Sequence, residues 1–220
     1  MPSSLQSDRP SISPAGEPSL WGAPRGPAAS LVLLAMALKN GGQNRAARAA
    51  LAPKPGERIL EIGCGPGMNL RALRRAVGAR GFVAGIDHAP AAVHWAAHAI
   101  HAALFHGRGA VHCADPADLP YRDGYFDRAV TVNSFSFWPQ PLRALRELAR
   151  VLKPGGRLVI TQRGAGPDSN TNFAGAAGGH ERLARASAAL KAEGWVILDE
   201  RSDADGPRLA ALSVIAERPR

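Results

Sequence analysis

The stretch Ile59-Leu60-Glu61-Ile62-Gly63-Cys64-Gly65-Pro66-Gly67-Met68-Asn69 predicts a buried strand, a tight turn and the start of a helix. Its apolar residues are typical of a strand, and the alternating glycines indicate a turn that side chains would strain. The first helical N–H groups would point at the space beyond the strand's carboxyl end, where open α/β sheets bind ligands. Glu61 adds a carboxylate there. A β-turn-α connection without a ligand is the alternative for such a pattern taken alone.

Three later strand patterns also end in polar residues. Residues 82–87 end in Asp87, twenty residues after Gly67, a spacing that puts a carboxylate within reach of ribose hydroxyls. Asp87 is equally a candidate N-cap for the helical pattern that follows over 89–105. Residues 110–113 precede Asp115, and residues 126–132 precede Asn133. Because the carboxyl ends of parallel strands share one edge of a sheet, these side chains are expected near the glycine turn.

The remaining periodicity predicts an α/β fold. Helical patterns cover residues 68–77, 140–152 and 181–193, and a fifth strand begins near Arg157. Two further strand patterns, at 195–200 and 209–217, are joined by a link too short for a crossover helix, so they must pair antiparallel. We therefore expect a Rossmann-like, seven-stranded, mostly parallel sheet with helices on both faces and a C-terminal antiparallel hairpin.

Four segments resemble, in order, the motifs of the class I S-adenosylmethionine (SAM) dependent methyltransferases, in the type 11 or UbiE-like group. They are residues 61–67, Ala114-Asp115-Pro116-Ala117-Asp118-Leu119-Pro120-Tyr121, Phe126-Asp127-Arg128-Ala129-Val130, and Leu152-Lys153-Pro154-Gly155-Gly156-Arg157-Leu158. The departures are Pro116 after the acid and Tyr121 where phenylalanine is usual. The resemblance covers about residues 45–217.

The resemblance implies SAM as cofactor and a set of residues around it. The glycines would let the backbone approach the methionine part, with Glu61 near its amino group. Asp87 would hold the ribose, His88 would lie along adenine or ribose, Asp115 would bind the adenine edge, and Asn133 would form the floor under the sulfonium. The full cofactor set is Glu61, Gly63, Cys64, Gly65, Gly67, Asp87, His88, Ala114, Asp115 and Asn133.

Substrate contacts and chemistry are less constrained by the sequence. Phe135 and Trp138 are candidates to face the substrate, with core packing as the alternative. Arg163 is a candidate anion anchor and His180 a candidate general base, with solvated loop charges as the alternative. His94, His98 and His101 recur at helical spacing, but no nearby Cys, Asp or Glu completes a metal shell, so no metal is expected.

Composition bounds the organisation of the chain. With 220 residues and 45% apolar content, one domain is expected. Residues 1–27 predict a disordered tail, and the domain spans 28–220, with an N-terminal helical lid over 28–51. The pattern of Cys64 and Cys113 indicates reduced thiols rather than a disulfide. No segment has the pattern of a membrane span or a signal peptide, so a cytoplasmic protein is expected. A second subunit that completes the pocket, in a homodimer, is a further expectation.

The formal net charge of +9 raises the possibility of a nucleic-acid partner. Because the basic residues are spread through several helices, solvated helix faces are the preferred interpretation. The function we expect is methyl transfer to O, N or C of a small-molecule acceptor. The alternatives are an RNA or DNA methyltransferase, disfavoured because Asn133-Ser134-Phe135-Ser136 lacks the paired prolines of the amino-methylating enzymes, and a SAM-binding protein without catalysis.

Overall fold

A computed structural model describes residues 40–164, 178–205 and 208–219. The predicted tail and the first part of the predicted lid, residues 28–39, lie outside them. The helices are α1 (Gly41–Leu51), α2 (Met68–Val77), α3 (Pro90–Ala99), α4 (His101–Phe105), α5 (Pro141–Val151) and α6 (Gly179–Ala192). The strands are β1 (Arg58–Ile62), β2 (Phe82–Asp87), β3 (Gly109–Cys113), β4 (Phe126–Val132), β5 (Leu152–Gln162), β6 (Val196–Asp205) and β7 (Arg208–Glu217).

The strands described form one seven-stranded sheet in the order β3-β2-β1-β4-β5-β7-β6. β1 pairs in parallel with β2 on one side and with β4 on the other. β7 runs antiparallel to both β5 and β6. The expected mostly parallel sheet with a C-terminal antiparallel hairpin is confirmed. Since the chain moves outward from β1 in both directions, the tips of β1, β2 and β4 adjoin a crevice at the reversal of strand order.

The helices divide between the two faces of the sheet. One apolar cluster joins α1, α2 and α4 to the sheet through side chains such as Leu51, Leu73 and Ala103. The other joins α5 and α6 to the opposite face through Leu148 and Leu190. Both layers exclude water from β1 and β4, whose central residues are almost all buried. The expectation of helices on both faces is confirmed.

The predicted helix over 89–105 is broken into α3 and α4. Ile100 leaves the helical conformation, with φ −121° and ψ 24°, and is only 3% exposed. The break directs this side chain into the cluster with Leu70 and Leu73. Ile100 still donates its N–H to the Ala96 carbonyl at 3.2 Å and accepts the Leu104 N–H at 3.1 Å, so the break changes the backbone dihedrals without removing either bond. Periodicity alone did not reveal this tertiary effect.

Arginines from the sheet anchor the C-terminal end of α1. Arg128 donates through Nη1 to the Leu51 carbonyl at 2.7 Å, and through Nε to Glu57 Oε2, also at 2.7 Å. Arg157 donates to the Ala50 carbonyl at 3.3 Å. Cations at the end of a helix offset its unpaired carbonyls and its dipole. The position of α1 over the sheet therefore depends on β4 and β5.

Replacement of Arg128 by methionine should destabilise the protein. The side chains of Arg128 and Glu57 are only 11% and 16% exposed, so Arg128→Met leaves a largely buried carboxylate without its cation. We expect a loss of about 2–4 kcal/mol in the free energy of unfolding, measured with urea. Arg185→Met, which breaks an exposed pair with Glu181, should change stability by less than about 0.5 kcal/mol. Equal losses in both variants would contradict the anchoring role.

Candidate functional site

A cavity of about 330 Å³ opens at the carboxyl ends of β1, β2 and β4. The start of α1 closes one side of it, because Asn40 and Asn44 are in its lining. The predicted site residues that line it are Glu61, Gly63, Cys64, Gly65, Asp87, His88, Ala114, Asp115, Asn133 and Trp138. The fold thus brings most of the predicted site to one place.

The glycines of the turn after β1 have different surroundings. All three have positive φ, at 70° for Gly63, 51° for Gly65 and 80° for Gly67. A Cβ on Gly63 would lie 2.2 Å from Ser134 Oγ, and one on Gly67 would lie 2.7 Å from the Ala96 Cα. A Cβ on Gly65 would meet nothing within 4 Å. Gly63 and Gly67 therefore let protein segments pack, whereas Gly65 leaves room in the cavity.

Asp87, at the tip of β2, holds the glycine turn in place. Its Oδ2 accepts the Gly65 N–H at 2.9 Å, and its Oδ1 accepts the Ala89 N–H at 3.0 Å. Ala89 is the N-cap of α3, and no side chain caps this helix. The N-cap alternative for Asp87 is therefore wrong, because its carboxylate bonds two loop amides and not the first helical turn. Each oxygen retains a second lone pair toward the cavity.

Glu61 is a carboxylate buried in the sheet, with 2% exposure. Its Oε1 accepts from Asn69 Nδ2 at 2.9 Å, and Asn69 Oδ1 accepts from Arg48 Nη1 at 2.7 Å. Its Oε2 is buried and has no hydrogen-bond partner among the described residues. Burial raises the pKa of Glu61 from 4.5 to about 8, although the Asn69 bond and the Arg48 charge lower it. With this pKa the carboxyl group of the free protein is mostly protonated at neutral pH, and a cationic hydrogen-bond donor in the cavity would favour its ionised form.

Asn133 connects three segments at the opposite wall. It has φ 55°, a left-handed conformation that asparagine tolerates better than other side chains. Its Oδ1 accepts the Arg163 N–H at 2.7 Å, and its Nδ2 donates to Asn40 Oδ1 at 3.2 Å. The Arg163 guanidinium donates to the same Asn40 oxygen at 3.0 Å. This network ties the beginning of α1 to the ends of β4 and β5.

The loop after β3 supplies the rim of the cavity. Asp115 is exposed, and its Oδ1 accepts the Ala117 N–H at 2.8 Å, which fixes the direction of its carboxylate.

The loops after β2 and β1 add His88 and Cys64 to the cavity lining. His88 lies beside Asp87, with its Nδ1 3.7 Å from Asp87 Oδ1. Cys64 is buried, and this burial raises the pKa of its thiol well above the ordinary value. The thiol stays neutral and serves as a small apolar wall.

Four predicted site residues do not line the cavity. Gly67 packs against α3, and Phe135 is buried, with its ring 4.9 Å from that of Trp138. Arg163 lies behind Asn133 in the network just described, and burial lowers its pKa. His180 is exposed in the first turn of α6 and is absent from the cavity wall. Neither the Arg163 nor the His180 side chain is part of the cavity lining.

The sequence patterns did not identify several residues that complete the site. Asn40 and Asn44 precede or begin a helix that pattern alone assigned to a lid, and Asn69 was assigned only to a helix start. The polar side chain of Asn69 is buried, at 2% exposure. A polar residue in the first turn of a helix that also buries Leu70 and Leu73 is the signal that could have identified Asn69.

The histidines of α3 and α4 contact backbone and one another. His98 Nδ1 lies 3.1 Å from the His94 carbonyl, and His101 Nδ1 lies 3.2 Å from the His98 carbonyl. Among residues 40–164, 178–205 and 208–219, no group of three or more His, Cys, Asp or Glu side chains is placed to hold a metal. No helix in the same ranges is long and apolar enough to cross a membrane.

Comparisons with known proteins consistently find methyltransferases. Residues 60–160 match the family model of a methyltransferase domain. A 2-phytyl-1,4-naphtoquinone methyltransferase of Synechococcus elongatus is 38% identical over 114 residues, which are 50% of this chain and 47% of that protein. A 27-O-demethylrifamycin SV methyltransferase of Amycolatopsis mediterranei is 36% identical over 49% of this chain and 39% of its own length. The chain thus spans less than half the length of each of these relatives.

Solved structures extend the likeness to the whole fold. A SAM-dependent methyltransferase from Aquifex aeolicus has a TM-score of 0.68 at 21% identity, and the match covers 88% of this chain and 94% of that one. The resemblance to class I SAM-dependent methyltransferases is confirmed by the family domain together with this fold.

Alanine at Gly63 and at Gly65 should have different effects on stability. Both substitutions carry the strain of positive φ, about 1–2 kcal/mol, but only the Gly63 Cβ meets protein atoms. Gly63→Ala should therefore cost about 1–3 kcal/mol more than Gly65→Ala in urea unfolding. Equal destabilisation would show that Ser134 moves aside without cost.

Glu61 should make stability depend on pH. Its folded pKa of about 8 exceeds the ordinary 4.5, so the folded state favours the protonated carboxyl. This contribution is fully present below pH 4.5 and is lost as the pH rises through 8. Compared with Glu61→Gln, the free energy of unfolding of the wild type should fall by up to about 1.4 kcal/mol per pH unit in that window. Glu181→Gln, at an exposed position, should keep the wild-type profile; parallel profiles for wild type and Glu61→Gln would refute a buried neutral carboxyl.

Proposed function

We propose that this chain, which carries a methyltransferase domain over residues 60–160 in a class I SAM-dependent methyltransferase fold, binds SAM in the cavity and transfers its methyl group to a small molecule. The unpaired Oε2 of Glu61 is the observation that carries the proposal. A buried carboxylate oxygen at a cavity wall is costly unless a ligand supplies a donor. The α-ammonium group of SAM is such a donor.

The other residues of the cavity fit the remaining parts of SAM. Gly65 leaves space for a ligand beside a backbone that Asp87 holds in place. The free lone pairs of the Asp87 carboxylate suit ribose hydroxyls, with His88 beside them. Asp115, oriented by the Ala117 N–H, suits the amino group of adenine. These assignments make Glu61, Asp87 and Asp115 the polar contacts of the cofactor.

Bound SAM supplies a methyl group on a sulfonium, which is an activated leaving group. In an in-line displacement, a lone pair of the acceptor would form the new bond to the methyl carbon as the carbon–sulfur bond breaks. The electron pair of the broken bond would remain on sulfur. The chain's contribution is to align the acceptor and exclude water. Trp138, 7% exposed and held by a 3.1 Å bond from Nε1 to Ser134 Oγ, presents a rigid ring at the wall. The acceptor's proton passes to solvent in this scheme, since His180 lies away from the cavity.

The acceptor side of the cavity is mainly apolar. Phe137 is 50% exposed and lines the cavity together with Trp138 and Pro139. Such a wall suits an organic molecule with apolar surface. The relatives named above are, by their names, methyltransferases of a naphthoquinone and of a rifamycin. We propose an acceptor of comparable chemistry, methylated at O, N or C.

The proposal extends to the organisation of the protein. The cavity contact of Asn40 and Asn44 supports a lid role for the segment that includes α1. Cys64 and Cys113 are unpaired thiols, which supports a reducing compartment such as the cytoplasm. Val196 and Leu198 expose apolar surface on the edge strand β6, which supports pairing with a second copy of the chain.

Binding of S-adenosylhomocysteine, the demethylated cofactor, tests the site by calorimetry. Asp87→Ala removes both the proposed ribose contact and the bond that orders Gly65, so binding should become undetectable. Gly65→Val should have the same result, because its side chain fills the space next to the turn. Asp118→Ala, an exposed acid three residues after Asp115, is the matched control and should bind like the wild type.

Unchanged affinity in Asp87→Ala or Gly65→Val would refute this site.

Transfer of labelled methyl from SAM then distinguishes a small-molecule methyltransferase from a nucleic-acid methyltransferase and from a SAM-binding protein without catalysis. Label in a naphthoquinol or polyketide acceptor supports the proposal, whereas label in RNA supports a nucleic-acid methyltransferase. Tight binding without transfer to any acceptor would favour a SAM-binding protein.

A further inference from the structure

A second cleft, of about 800 Å³, lies between α2 and the segment from α3 to the start of β3. It is lined by Arg71, Arg74, Arg75, Gly78, Ala79, His98, Ala99, Ile100, His101, Ala102, Ala103, His106 and Arg108. None of these residues lines the cofactor cavity. The lining contains four arginines and three histidines, and none of its described residues is acidic, so the arginines make the cleft a positive surface.

The fold creates this concentration of charge. In the sequence, the arginines of α2 are separated from Arg108 by more than thirty residues, and each group alone resembles a solvated helix face. Packing of α2 beside α3 and α4 places them around one cleft. Like charges without neighbouring acids repel one another, and a bound anion would offset that repulsion.

Two of the arginines are held in position by backbone carbonyls. Arg74 Nη1 donates to the Gly78 carbonyl at 2.5 Å, and Arg108 Nη1 donates to the Ala79 carbonyl at 2.7 Å. Each guanidinium has five N–H donors, so most of its donors remain for a ligand. Guanidinium groups bind phosphate oxygens through paired hydrogen bonds. Oriented arginines make the cleft suited to phosphate groups.

An exposed aromatic ring accompanies the cleft. Phe105, the last residue of α4, is 86% exposed, and its ring lies 5.2 Å from that of His106, which lines the cleft. Its exposure leaves the ring accessible to a ligand. Aromatic rings beside basic grooves stack on bases in proteins that bind single-stranded nucleic acid.

We propose that this cleft binds single-stranded nucleic acid, with the arginines on successive phosphates and Phe105 stacked on a base. Four arginines in one cleft of about 800 Å³, with an aromatic ring beside it, offer contacts to several phosphates and a base, which favours a strand over a single small anion. The proposal does not depend on the cofactor site, because the two share no lining residue.

Fluorescence anisotropy with a labelled oligouridine of about twelve nucleotides tests the proposal in the full chain. The dissociation constant is measured against salt concentration for wild type and for Arg71→Gln/Arg75→Gln, whose side chains have no hydrogen bond to described residues that would be lost. If each arginine contacts one phosphate, the magnitude of the salt slope should fall by about 1.4 in the double variant, and affinity should fall about tenfold at low salt. Phe105→Ala should weaken binding several-fold without a change in the salt slope.

The matched control is Arg143→Gln/Arg185→Gln, which removes the same charge from α5 and α6 on the opposite face of the sheet. It should retain wild-type binding. Absence of binding, an equal loss in the control, or full displacement by inorganic pyrophosphate at the concentration of oligonucleotide phosphate would each overturn the proposal. Calorimetry with S-adenosylhomocysteine should give wild-type affinity in the cleft variants, so failure of the cofactor site and failure of the cleft are observed separately.

Discussion

Burial of the Glu61 carboxylate at the end of β1 is the constraint on which the site depends. β1 lies between two parallel neighbours, and its other central residues, Ile59, Leu60 and Ile62, are apolar and buried. A carboxyl group in that row lowers stability relative to an apolar side chain unless it is bonded or protonated. Asn69 satisfies one oxygen, and the second remains for a ligand. Under the proposed function, a cationic group bound at this oxygen would favour the ionised carboxylate and offset that loss of stability.

The geometry of the cavity floor depends on the position of Glu61 and on the glycine turn that follows β1. Parallel pairing brings the tip of β2 beside the turn, where Ile86 accepts from the Gly63 N–H at 2.7 Å and Asp87 accepts from the Gly65 N–H. Hydrogen bonds of the main chain and of the Asp87 carboxylate therefore fix the cavity floor before any ligand binds. Such preorganisation reduces the ordering cost of binding.

Sequence reasoning succeeded where local patterns and parallel pairing determine position. Glu61 and Asp87 lie near or at the ends of strands whose hydrophobic runs are clear, Gly65 follows the first of these strands, and the sheet brings the strand ends together. It failed where tertiary packing decides. The break at Ile100, the withdrawal of His180 from the cavity and the contribution of Asn69 depend on how helices pack on the sheet. The sequence did not predict the basic cleft either, because only the folded chain brings Arg108 and Arg75 to the same cleft.

Asn133 shows how the N-terminal segment and the cofactor site influence each other. Its left-handed backbone directs the side-chain amide between the Arg163 N–H and Asn40, so the end of β4, the end of β5 and the start of α1 share one hydrogen-bond network. Arg163 strengthens the connection through its own bond to Asn40. Any movement of α1 away from the sheet must break bonds to Asn133, whose position defines the cavity wall. A ligand that bound against Asn133 would therefore also stabilise the position of Asn40 at the start of α1.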